Sequence, residues 1–129
     1  MSDMKTPTLI LATLGVLFAL PASSASLVCS GTVAQLWYHQ PGAVMVKLSS
    51  MNTAAMVCDL NTDWIVPGSL SGNTSVVSCK AIYAALLAAN HSGTFIESMI
   101  FDADTLPASC NAFASFTKVN LRFFSLNQS

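Results

Sequence analysis

A mainly β domain carrying one helix, in the order β-β-β-α-β-β, is the fold class this sequence predicts. Three observations carry that prediction. Between Ser75 and Gly93 the apolar residues Cys79, Ile82, Tyr83, Leu86 and Leu87 recur at the i, i+3, i+4, i+7, i+8 spacing of a helix with one buried face. Beyond the first 25 residues, the remaining apolar residues fall in short runs or alternate with polar ones, as strands do. Turn-forming clusters such as Gln40-Pro41-Gly42 separate those runs. This order matches the five-stranded, partly open barrel called the OB-fold, whose helix sits between strands three and four.

The first strand is expected over Thr32–His39, rich in aromatic and branched residues. After the turn at Gln40-Pro41-Gly42, whose glycine is expected to take a positive dihedral, the second runs from Ala43 to Ser49. Val44, Val46 and Leu48 lie on one face of it, with Met45, Lys47 and Ser49 on the other, so the pair forms a hairpin. The third is expected over Ala54–Leu60, and a long loop over Asn61–Thr74 leads to the helix. Ser75 or Ser78 caps its start, and Gly93 ends it in the left-handed conformation. The fourth strand spans Thr94–Phe101, with Phe95, Met99 and Phe101 facing away from Ile96, Ser98 and Ile100. A second long loop covers Asp102–Thr117. The last strand spans Lys118–Leu126, with Val119, Leu121 and Phe123 inward and Asn120 and Arg122 outward.

Residues 1–25 read as a secretory signal peptide, leaving 26–129 as a single domain. Lys5 precedes an apolar run from Leu9 to Leu20, and Ser23 and Ala25 stand at the small-residue positions before a cut. That run is too short for a bilayer span, which needs about 20 residues, so no stable membrane insertion is expected once it is removed. All four cysteines, Cys29, Cys58, Cys79 and Cys110, lie beyond it. An even count behind an export signal reads as two disulfides in a secreted or periplasmic protein. Spacing alone leaves three connectivities open. The OB-fold layout sets the start of strand one beside the end of strand four, which pairs Cys29 with Cys110 and leaves Cys58 for Cys79.

Only 9% of the chain is charged, against roughly 25% in ordinary domains. Residues 26–129 hold four basic side chains (Lys47, Lys80, Lys118, Arg122) and five acidic ones (Asp59, Asp63, Glu97, Asp102, Asp104), a net of 4 − 5 = −1. That balance excludes a nucleic-acid partner, whose phosphates are bound through many Lys and Arg contacts. No cofactor motif and no nucleophile–base spacing is found, so an enzyme is not expected. Asp102-Ala103-Asp104 lacks the other ligands of a calcium loop and reads as a solvated acidic loop rather than a metal site. Trp37 and Trp64 are expected as packing residues. The competing reading makes Trp37 and Tyr38 a stacking surface, with a ligand near the hairpin tip and the Asp102–Asp104 segment.

Ser30-Gly31-Thr32-Val33, Val57-Cys58-Asp59-Leu60 before a Trp-containing loop, and the Tyr83-bearing helix ending in Ser92-Gly93 together resemble the OB-fold B subunits of AB-type toxins, in particular the subtilase cytotoxin B subunit. The resemblance implies an exported, non-enzymatic binding module for a carbohydrate or a protein surface, with Ser30 at the place of a sugar-contacting serine. The acidic residue and the tyrosine that complete the family's sugar site have no match here, and Ile100 or Phe101 stands where the tyrosine would be. Five such subunits form a ring lined by their helices. That implies self-association through the alanine face Ala81, Ala84 and Ala88, the alternative role being structural or inhibitory.

Overall fold

The structure, a computed structural model, describes residues 12, 13, 15, 25–69 and 72–126. Among these the chain forms β1 (Ala25–His39), β2 (Ala43–Leu48), β3 (Ala55–Asp59), α1 (Val76–Ser92), β4 (Phe95–Ala103) and β5 (Asn120–Leu126). The expected signal peptide, apart from residues 12, 13, 15 and 25, lies outside the described residues. The five strands make one antiparallel sheet in the order β3-β2-β1-β4-β5. The expected mainly β architecture and element order are therefore present, but the sheet is not closed into a barrel. The segment just before β5 touches edge strand β3 at an isolated parallel bridge between Met56 and Lys118. There Met56 N–H donates to the Thr117 carbonyl at 2.9 Å and Val119 N–H donates to the Met56 carbonyl at 2.9 Å.

β1 begins at Ala25, well before the expected Thr32. Its first half pairs with β4 from Ala25↔Ala103 to Thr32↔Phe95, and its second half pairs with β2 from Val33↔Leu48 to His39↔Ala43. One strand thus serves two neighbours, which requires it to bend. The bend falls at a bulge between Cys29 and Gly31, where Gly31 has φ 136° and a side chain would collide with Ser49. Serine and glycine in this stretch hide the strand from a propensity reading.

The core is the face that β2 was expected to bury. Val44, Val46 and Leu48 are fully enclosed, together with Val57, Leu86, Ile96, Met99, Phe101 and Val119. Simple alternation fails in several strands. In β2, Met45, expected on the outer face, is buried along with Val44 and Val46, because that face too is covered. β3 buries Val57, Cys58 and Asp59 in a row. In β4, Ile96 and Met99 both point inward because the pairing with β5 shifts register between them. In β5, Asn120 is buried and Phe123 is exposed, the reverse of expectation.

α1 starts and stops where its sequence directs. Ser75 accepts the Ser78 N–H at 3.1 Å, and Gly93 takes φ 67°. The buried stripe is rotated from the expected one, however. Cys79, Leu86 and Ala89 are buried with Ile82 and Tyr83 half-buried, whereas Leu87 is 49% exposed. The cause is what anchors the helix. A Cys58–Cys79 disulfide ties its first turn to β3, and the Asn90 side-chain amide donates to the Val33 carbonyl at 2.8 Å on β1, which turns Ala89 inward and Leu87 out. The second disulfide joins Cys29 to Cys110. Both expected pairings are present, and two structural disulfides mark an oxidising compartment. Among the described residues no helix is long and apolar enough to cross a membrane.

Candidate functional site

The end of the β1–β2 hairpin gathers aromatic groups that the core does not use. Trp37 and His39 are two residues apart on β1 and so lie on one face, while Tyr38 points to the other. Trp37 is 45% exposed, which overturns its expected role as a packing residue. Trp64 is the one that packs: it is buried, donates its indole N–H to the Val119 carbonyl at 2.8 Å, and carries the Lys118 ammonium 4.4 Å above its ring.

Register continues the Trp37 row across the sheet, but its next member, Met45, is buried, so the accessible surface is confined to the hairpin end. Trp37 pairs with Met45, Met45 with Met56, and Met56 with Lys118, and residues directly opposite in a ladder share a face. At its border His39 meets Phe116 edge-on, with ring centroids 5.4 Å apart and planes at 70°. Phe116 is the feature that pattern reading misses. It is 58% exposed and has φ 60°, the left-handed region that bulky residues rarely enter, at a cost of about 1–3 kcal/mol. Neither burial nor conformational preference accounts for a phenylalanine held there.

The turn beside this face is well fixed. The Tyr38 hydroxyl donates to the Pro41 carbonyl at 2.9 Å, and the Asn61 side-chain amide donates to the same carbonyl. Gly42 does not take the expected positive dihedral; it is needed because a Cβ would press on Asp59 and Asn61.

The acidic segment lies elsewhere. Asp102 pairs with Ser26 and Asp104 follows the end of β4, so both stand at the opposite end of β1 from Trp37 and Tyr38. Asp102 is not part of a solvated loop, since it has no exposed surface. Its burial is only partly compensated: Ser26 donates a hydroxyl hydrogen bond to Oδ1 at 2.8 Å, while Oδ2 has no hydrogen bond and faces Arg122 Nε at 3.3 Å as an ion pair. Arg122 Nη2 in turn donates to the Ser26 hydroxyl at 3.2 Å. Asp104 is exposed, with its backbone N–H tied to the Pro67 carbonyl at 2.8 Å. Ser30 is exposed midway along β1, at the bulge, and joins neither group. Among the described residues no group of three or more His, Cys, Asp or Glu side chains is placed to hold a metal ion. No protein-family model matches this chain, nor does any curated protein or solved structure.

Proposed function

We propose that this is an exported, non-enzymatic binding module that engages a carbohydrate through the face carrying Trp37, His39 and Phe116. The observation that carries the reading is Phe116, exposed and strained beside His39. Strain of that kind persists where the surroundings impose it, and such residues cluster at ligand contacts. Exposed aromatic rings offer stacking surfaces, with His39 at hand as a hydrogen-bonding group. The two disulfides agree with a secreted or periplasmic location, where glycans are met.

The finer fold reading is an OB-fold-like domain. Its support is the strand order, the helix between β3 and β4, and the bridge from β3 at Met56 to Lys118 just before β5. On that reading the resemblance to toxin B subunits extends to the layout of the chain, and the hairpin end is where such folds bind ligands. A glycan array with the disulfide-bonded protein tests the function. Binding to defined glycans that is lost in Trp37→Ala and Phe116→Ala supports it. Retention of every hit in both variants overturns it.

A second reading, self-association, rests on the outer face of α1. Val77 is 78% exposed and Leu87 49%, and Ala81, Ala84 and Ala88 are exposed with them. An outer helix face is ordinarily charged, and Lys80 is the only Lys, Arg, Asp or Glu that α1 contains.

A further inference from the structure

We propose a second binding site, for a single neutral sugar ring, in the cleft between the start of α1 and β5. The cleft has a volume of about 250 Å3, and polar side chains dominate its lining: Asn73, Thr74, Ser78, Asn120 and Arg122. Ile82 and Leu121 supply the apolar remainder.

Its polar groups are fixed before any ligand arrives. Thr74 and Asn120 are both buried, and the Thr74 hydroxyl donates to Asn120 Oδ1 at 2.8 Å, which sets how the Asn120 amide is turned. The Thr74 backbone is held by reciprocal bonds with Trp64, at 2.9 and 3.1 Å. Arg122 is pinned at two points, by the Asp102 carboxylate and by the Ser26 hydroxyl. Groups held this way lose little freedom on binding, which raises affinity without adding contacts.

Charge selects the ligand class. Asp102 already neutralises Arg122, and no lysine lines the cleft, so an anion would meet a neutral pair rather than an unpaired cation. An apolar ligand would strand the exposed Asn73 amide and the Arg122 N–H groups not held by Asp102 and Ser26. A hydroxylated ring satisfies both conditions. Its hydroxyl groups both donate and accept, as do the exposed Asn73 amide and Ser78 hydroxyl, and its C–H face can lie on Ile82 and Leu121. The site does not depend on the aromatic face at the other end of β1.

The test is a nitrogen-15 NMR titration of the protein recovered from an exporting host. The probes are glucose, galactose, N-acetylglucosamine and, as the acidic arm, N-acetylneuraminic acid. At least one neutral sugar should shift the amides of Asn73, Thr74, Ser78 and Asn120 saturably in the millimolar range. Asn73→Ala should weaken that binding about tenfold, the size expected for one lost hydrogen bond. Asn73 is exposed and outside the strands and the helix, so the fold should be retained. Ser78→Tyr, which fills the cleft, should abolish the shifts. The proposal is overturned by no response to any neutral sugar up to about 50 mM, by a response to the acidic sugar alone, or by an unchanged Asn73→Ala. Shifts confined to Trp37, His39 and Phe116 would also overturn it while leaving the aromatic-face reading intact.

Discussion

Asp102 and Arg122 form an ion pair of unequal partners: the carboxylate has no exposed surface, while the arginine side chain, 3.3 Å away, is 36% exposed. Removing one partner is therefore not equivalent to removing the other. Arg122→Met leaves a buried carboxylate with only the Ser26 hydroxyl, whereas Asp102→Asn leaves an arginine that water can reach. Arg122→Met should cost about 3 kcal/mol and Asp102→Asn about 1 kcal/mol. Urea denaturation of both variants measures the order, and a larger loss in Asp102→Asn would refute the account.

The disulfides should differ in accessibility. Cys58 and Cys79 have no exposed surface, whereas Cys110 is half-buried opposite Cys29. Mild reduction with alkylation should therefore label Cys29 and Cys110 first, as a peptide map would record. Loss of that bridge, whose ends are 81 residues apart, should cost about 2–5 kcal/mol. Earlier labelling of Cys58 and Cys79 would contradict the burial argument.

Two tryptophans offer a contrast between binding and folding. Trp64→Ala should cost about 3–5 kcal/mol, since it removes a buried ring and leaves the Val119 carbonyl without its indole donor. Trp37→Ala should change stability by less than about 1 kcal/mol. Iodide should quench the Trp37 fluorescence and spare Trp64. A large stability loss in Trp37→Ala would make it a packing residue and weaken the case for the aromatic face.

Gly68 and Gly72 share a backbone conformation, with φ 78° and 80°, but not surroundings. A Cβ at Gly68 would run into the Asp104 backbone, while one at Gly72 meets nothing within 4 Å. Gly72→Ala should therefore cost about 1 kcal/mol, from the left-handed conformation alone. Gly68→Ala should cost clearly more, and thermal melts of the pair isolate the steric part. Equal losses would show that the Pro67–Asp104 contact gives way easily.

Light scattering at micromolar concentration tests the outer face of α1. On the self-association reading an oligomer is expected, and Ala84→Glu with Ala88→Glu should dissociate it without altering the far-ultraviolet circular dichroism. A monomer at that concentration removes the reading.

Local chemistry was enough, from the sequence alone, for the element order, both ends of α1 and the inward residues Val44, Val46 and Leu48 of β2. The cysteine pairing came from the expected layout, since spacing left three connectivities open. Each follows from short-range periodicity, from caps, or from a layout that leaves few neighbours for a given strand end. The tertiary structure decided what depends on residues distant in the chain. β1 extends back to Ala25 because β4 is there to pair with it, although its serine and glycine argue against a strand. Asp102 could be buried because Arg122 and Ser26 meet it from two other strands. Leu87 faces outward because a disulfide and Asn90 set the rotation of α1, which its own apolar spacing left nearly balanced. Phe116 was invisible for the same reason. A left-handed phenylalanine is set by the loop that holds it against His39, and no local pattern in a sequence announces that contact.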